Sequence, residues 1–445
     1  MNKIPENTEL KKWYSDQFDS FENKLNGGAD TYFHQIRKKA ISRFGEIDFP
    51  HQKNEDWKYT NISPVLKYNF KPASVLSETK IEDSLIENAF ISEVECCSFV
   101  FVNGRLHSSK TNFPEGVTAG SLSEIMKKNP ELVKQHIASL SENDNSFSAL
   151  NAAFSEDGFV LLIDKNIQLE KPIQVLFLTG SDTENLLAAP RNLIVAGKNS
   201  SAEIIFNYRG FGSKVYLNSS VTEVFADDAS NITLYNLQEE NDDSFHIEKL
   251  QAHQTASSNF THFSFTLGGK IIRNDINTKL SGENSASHLW GLYLGKNEQL
   301  IDHHTFIDHS VPHCESNELF KGILDDNSRG VFNGKILVQK DAQKTNAFQS
   351  NKAVLLNKNA KIDTKPQLEI YADDVKCTHG AAIGRLDDTA YFYIRSRGIP
   401  ADVAKSMQIR AFATDVVEKI EIDELKEIIN HKIFEHLRRV EVVNE

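Results

Sequence analysis

From about Phe159 onward the chain consists of short apolar runs separated by polar or glycine-containing turns. Seven runs stand out: FVLLI (159–163), IQVLFL (173–178), NLIVAG (192–197), AEIIFNY (202–208), NITLYNL (231–237), THFSFTL (261–267) and HLWGLYL (288–294). Their length and their β-branched and aromatic content predict strands. No helical periodicity alternates with them, which disfavours a βαβ fold. Small or polar residues followed by an apolar strand start recur at Ile204, Ile232, Phe260 and Leu289, in steps of 232 − 204 = 28, 260 − 232 = 28 and 289 − 260 = 29. Val331 and Ile362, 31 apart, are expected to continue the series less regularly. A repeat of this size fits one rung of a β-solenoid or a two-hairpin unit of a β-sandwich. A register that persists over several copies favours the solenoid.

The two ends read differently. Leu10, Trp13, Tyr14, Phe18, Phe21 and Leu25 recur at three- and four-residue steps until Asn26-Gly27-Gly28, predicting a first helix. Phe33, Ile36, Ala40 and Phe44 mark a second, with Gly45 as its end. Residues 121–140 read as helix broken near Pro130, and 68–91 carry mixed signals that assign no element. Near the C-terminus, Ala401 to Ile420 carries Ala404, Met407, Ala411, Phe412 and Val416. Asp423 is placed to cap a further helix, with Leu425, Ile428, Ile429, Ile433, Leu437 and Val440 on one face. Periodicity alone leaves open whether this pair packs on the body or forms a docking hairpin. The chain therefore divides into a mainly helical region (1–160), a β-solenoid core (161–388) and a helical exit (389–445).

Composition narrows the function classes. Lys plus Arg is 49 and Asp plus Glu is 62, a net charge of −13. That balance argues against nonspecific binding to nucleic acid or an anionic membrane. The N-terminus carries no apolar signal core, and no run approaches the roughly 18 apolar residues of a membrane span. The four cysteines, Cys96, Cys97, Cys314 and Cys377, form no C-x-x-C pair. Together these predict a cytoplasmic protein with reduced thiols. The chain has no Walker A sequence, since Gly268-Gly269-Lys270 is followed by Ile271. It also lacks G-x-S-x-G, H-E-x-x-H and G-x-G-x-x-G, so no nucleotide, hydrolase or zincin motif supports an enzyme.

Two clusters carry candidate ligands. In the first, His303, His309 and His313 share strand parity and precede Cys314, although Pro312 interrupts the run. Imidazoles filling a solenoid interior is the favoured reading over a metal site. In the second, Cys377 and His379 are two apart. On an extended chain they share a face at roughly 7 Å, within reach of one metal or iron–sulfur cluster. Lys376 is expected to lower the thiol pKa and Asp373 and Asp374 to raise it. Two donors complete no site, so spacing alone favours a structural Cys and His. Asp373-Asp374 and Asp387-Asp388 are read as solvated turns, with a β-helix lyase or glycosidase as the alternative they leave open.

The stretch 309–398 resembles the SufB/SufD family of iron–sulfur cluster assembly proteins. The resemblance rests on PHCESNELFKGILDD (312–326), VFNGKILVQKDAQKTNAFQSNKAVLL (331–356), KPQLEIYADDVKCTHGAAIGRLDD (365–388) and FYIRSRGI (392–399), with FSALNAAFSEDG (147–158) upstream. The N-terminal Phe49-Pro50 followed by KNEDWKYT (53–60) is similar to the SufD branch. The resemblance implies a right-handed parallel β-helix flanked by helical parts. It implies a scaffold subunit without its own catalysis, paired with SufB and with the SufC ABC-type ATPase docked on the C-terminal helices. It implies a transient iron–sulfur cluster at the SufB interface, with sulfur delivered to SufB by a cysteine desulfurase system. His379 becomes the interfacial ligand candidate and Cys377 its neighbour, Thr378 standing where the family's element carries Ser. Reduced flavin in the complex and self-association of the isolated chain are further expectations. A homo-oligomeric solenoid scaffold without metal remains a third alternative.

Overall fold

The computed structural model describes residues 6–24, 31–76, 79–141 and 143–438. Its centre is a parallel β-solenoid in which each turn adds one strand to each of two facing sheets. The first sheet runs from Phe159–Ile163 through Arg191–Ala196, Tyr216–Ala226, Phe245–Gln254, Ile271–Leu280, Leu300–His309 and Arg329–Val338 to Lys361–Ile370. The second runs from Ile173–Gly180 through Ser201–Phe211, Asn231–Glu239, Asn259–Thr266, Ala286–Gly295, Glu315–Leu324 and Asn346–Leu355 to Lys376–Gly384. Alternate residues of every strand point into the shared interior, where Ile204, Ile232, Leu250, Phe260, Ile276, Phe320 and Ile336 form one continuous apolar core.

The predicted runs all fall on strands, but the repeat mixes two sheets. Ile232 pairs with Ala202 and with Phe260, and Phe260 pairs with Ser287. The expected equivalents Ile204 and Leu289 therefore sit two residues out of register, on the correct face. Val331 and Ile362 belong to the first sheet, not the series of the second, and Ile362 pairs with Gly330. A rung contains two strands of similar composition, and the pattern of small residues before an apolar start does not tell them apart.

The small residues have a physical cause. Asn199, Ala229, Ser257, Asn284, His313 and Lys344 all have φ between 52° and 64°, each two residues before a strand of the second sheet. In four of these turns the next residue's hydroxyl donates to the carbonyl three residues earlier: Ser200 to Gly197, Ser258 to Thr255, Ser285 to Gly282 and Thr345 to Ala342. His313-Cys314 fills these same two slots. His313 is thus a left-handed turn residue outside the strand that holds His303 and His309, which corrects the shared-parity expectation.

The N-terminal helices Glu6–Lys24 and Tyr32–Glu46 pack through Leu10, Tyr14, Phe18, Phe21, Ala40 and Phe44 over the outer face of the first sheet. The second helix runs one residue past Gly45 and closes with the Ile47 N–H on the Arg43 carbonyl, so Gly45 is not its end. Leu25, Asn26-Gly27-Gly28 and Val440 lie outside the described residues, as does the side chain of Leu437. Residues 121–140 form the helices Leu122–Lys128 and Glu131–Lys134, parted at Pro130. At the other end, Ala401–Val417 and Asp423–Arg438 cover the outer face of the second sheet with Ile409, Ala413, Val416, Leu425, Ile429 and Ile433. Met407 and Ala411, part of the apolar pattern of this segment, are exposed, and Ile409 and Ala413 are buried instead.

Candidate functional site

The two ends of the solenoid differ. At the first end the sheets close with antiparallel strands: Arg105–Lys110 on Cys97–Val102, and Val117–Ser121 on Phe159–Ile163. At the last end Lys361–Ile370 and Lys376–Gly384 are the edges of their sheets, and no described strand pairs with their outer sides. Their inward residues continue buried columns. Phe332, Ile336 and Val338 are fully buried, but their register partners Thr364, Leu368 and Ile370 are only half-buried or exposed. Of the ten exposed large apolar side chains among the described residues, eight lie from Phe348 onward. They include Ile370, Tyr371 and Ile383 on this end, and Phe392 and Tyr393 on the following helix Asp388–Ser396, which buries no residue.

Cys377 and His379 lie on the edge strand Lys376–Gly384 and share its inward face. Cys377 pairs with buried Ala347 and packs half-buried against the core, whereas His379 pairs with Gln349 and is exposed. Burial pushes the Cys377 thiol above its ordinary value, partly offset by the Ala347 backbone. Lys376 is adjacent on the strand and points to the other face, so the expected lowering by Lys376 does not operate. Asp374 pairs with Lys344, and Asp387 caps the helix that follows. Among the described residues no three of His, Cys, Asp and Glu gather where they could hold a metal.

The residues below this pair escaped the sequence reading. Gln349 and Glu318 precede His379 in one inward column, and Gln349 Nε2 donates to Glu318 at 2.8 Å. Both are fully buried. Burial pushes the Glu318 carboxyl up to about 7, with the neighbouring Thr305 and Gln349 side chains pulling it partly back. Only the rung register could have revealed the column, because the three residues are about 30 apart in sequence.

The histidine cluster divides among separate partners. His303 is packed between Tyr293 and Phe320, and His309 Nε2 lies 2.9 Å from the Ser316 hydroxyl. Burial drives His303 to about 3 and His309 to about 4, so both are neutral core groups. Cys314 donates to the Gly282 carbonyl at 3.4 Å and lies 3.3 Å from Ser285 Oγ.

The Glu55–Trp57 turn straps the first sheet. The Arg273 guanidinium stacks on Trp57 at 3.8 Å and donates to the Asp56 carbonyl, Thr60 bonds Asp302, and Glu55 pairs with Lys365. Beneath it lies an open cleft of about 820 Å³. Its cations are matched: Lys249 with Asp144, Arg273 with Asp275, Lys335 with Glu369 and Lys365 with Glu55. No glycine lines it. With no unmatched lysine or arginine for a phosphate, these residues do not fit a flavin.

Residues 177–412 match the family model described as "SUF system FeS cluster assembly, SufBD core domain", and residues 8–175 match "SufBD protein N-terminal region". The chain belongs to the SufBD family. It is a SufBD-type iron–sulfur cluster assembly protein, of a family that acts as an assembly scaffold. It is 30% identical to an iron–sulfur cluster assembly SufBD family protein of Synechocystis over 90% of both chains. It is 28% identical to the iron–sulfur cluster assembly protein SufD of Escherichia coli over 96% of both chains. The SufD of Bacillus subtilis is 25% identical, over 92% of this chain and 94% of its own. Among the described residues no helix is long and apolar enough to cross a membrane.

Proposed function

We propose that this SufBD chain is the non-ATPase scaffold subunit of a SufBCD-type complex in the cytoplasm. The observation that carries the reading is the open last rung, where unpaired strand edges and exposed apolar residues surround Cys377 and His379. SufB covers this rung, and a nascent cluster is built at the junction with Cys377 and His379 as this chain's donors. The chain's division into 1–160, 161–388 and 389–445 then separates a strap and cap, the solenoid and the ATPase dock. SufC docks on the C-terminal helices, where Phe392, Tyr393, Val403 and Met407 are exposed. In isolation the same open rung favours self-association.

A thiolate and one imidazole hold a cluster less firmly than four thiolates, which suits cargo that must leave. Co-expression with SufB and SufC is expected to yield a stable complex, and His379→Ala is expected to lower cluster maturation in cells while leaving that complex intact. Maturation at the wild-type rate in His379→Ala would remove the ligand role. Unchanged SufC binding after deletion of residues 401–445 would remove the docking role.

A further inference from the structure

The Glu318–Gln349 pair is a fully buried carboxyl and amide in the last rungs of the solenoid. Phe320, Phe332, Ile336 and Val338 are apolar residues of the same interior. A buried carboxyl and amide are tolerated there only if their polar atoms find partners. One bond is made, from Gln349 Nε2 to a Glu318 oxygen. Gln349 Oε1 and Glu318 Oε1 are buried and have no partner among the described residues. The amide is also held sterically. It lies over Gly334 on the facing sheet, where an added Cβ would come within 2.3 Å of Gln349 Nε2. Gln349 is the register partner of His379, roughly one strand spacing of 4.8 Å away. Its spare Oε1 is therefore the buried acceptor next in line to that imidazole.

We propose that Glu318 and Gln349 are positioning residues that orient the imidazole of His379 and fix which of its nitrogens carries the proton. Glu318 anchors the Gln349 amide nitrogen, Gly334 leaves room for the amide, and Gln349 Oε1, unpartnered in the structure, is the acceptor offered to the His379 N–H. The other imidazole nitrogen then faces the open rung as a lone pair for iron. Ligating histidines are commonly held this way by an acceptor behind the ring. The inference rests on the reading of His379 as a cluster donor.

The test uses the full chain with 15N-labelled histidine, the His379 signals being assigned by their loss in His379→Ala. In the wild type one His379 tautomer is expected to dominate. Gln349→Leu and Glu318→Leu are expected to shift the ratio toward that of a free imidazole. Glu318→Gln keeps an acceptor oxygen and is expected to behave as wild type. Gly334→Ala crowds the amide without removing a polar group, so it is expected to reproduce Gln349→Leu. If the leucine variants do not fold, Gly334→Ala carries the test on the same terms. In the complex with SufB and SufC, the disruptive variants are expected to lose about tenfold in cluster yield. A His379 tautomer ratio in Gln349→Leu and Gly334→Ala equal to wild type overturns the positioning role. That result is separate from the ligand role, which stands or falls with His379→Ala in cells.

Discussion

Replacing Glu318 by Gln offers a measurement whose size follows from burial. The Glu318 side chain is fully enclosed, and its contacts, Thr305 and Gln349, are neutral. Desolvation raises the carboxyl from 4.5 to about 7. A carboxyl with a raised folded-state pKa stabilises the fold fully below its unfolded value. That contribution fades as the pH rises through the folded value, because the folded state must then bury a charge. The gap between 4.5 and about 7, at about 1.36 kcal/mol per pH unit, caps the effect at about 3 kcal/mol. Glutamine keeps the shape and does not titrate. The stability difference between Glu318→Gln and wild type is therefore expected to move in favour of the variant by about 2–3 kcal/mol between about pH 5 and pH 8. Urea midpoints for both proteins across that range measure it. Other groups titrating there, such as His246, which two glutamates raise to about 9, are common to both proteins and cancel in the difference. A difference that stays flat with pH would show that Glu318 is hydrated or compensated in solution.

Three further outcomes follow from the packing. Gly291→Ala places a Cβ 2.1 Å from the ring of fully buried Phe320, so a loss of about 1–3 kcal/mol is expected by urea denaturation, and a neutral result would mean the interior is looser than drawn. Cys314→Ser restores the hydroxyl found in the equivalent turns, so stability is expected to change by no more than about 0.5 kcal/mol and cluster maturation not at all. A maturation defect in Cys314→Ser would assign that thiol a chemical role. Lys321, 3% exposed, donates to the Phe412 carbonyl at 2.6 Å and pairs with Asp415. Lys321→Met is expected to speed amide exchange in 401–417 while the solenoid strands stay protected, and equal exchange would dismiss the clamp.

The solenoid and its inward faces were legible because strand alternation and the small turn residues repeat along the chain. Sheet membership was not, as Val331 and Ile362 show: successive strands of one rung share a composition but belong to opposite sheets. His313-Cys314 looked like ligands because the residue types suggest metal chemistry. Their backbone slots, a left-handed residue and a hydroxyl-like residue, become visible only when Asn199-Ser200 and Ser257-Ser258 are stacked beside them. At the candidate site, spacing placed Cys377 and His379 on one face, and only the family resemblance made them candidate donors. Glu318 and Gln349 were missed because what joins them to His379 is a hydrogen bond and a register between rungs, neither of which leaves a local pattern. The exposure of Met407 was hidden for a similar reason. A helix touching the body along one narrow line buries Ala404, Ile409 and Ala413, and a period-counting argument has no way to fix which line that is.

The asymmetry of the solenoid bears on why the proposed donors sit where they do. An uncapped parallel sheet presents a row of free N–H and C=O groups, an invitation to pairing that stable monomers normally block with charge, a bulge or a covering element. The first end is blocked by antiparallel strands. At the last end the helix that follows, Asp388–Ser396, has no fully buried residue, and no described strand pairs with the outer edges. Ile362, Leu368 and Ile370 on one edge strand and Ile383 on the other flank Cys377 and His379 across the same opening. Any partner that pairs with these edges and covers the apolar residues must also pass over Cys377 and His379. On the proposed reading, covering the rung and completing the ligand set are therefore one event. A variant that blocks edge pairing, such as Ile383→Lys, is then expected to abolish cluster formation along with association, although it leaves both donor side chains in place. Cluster yield that survives loss of association would separate the two.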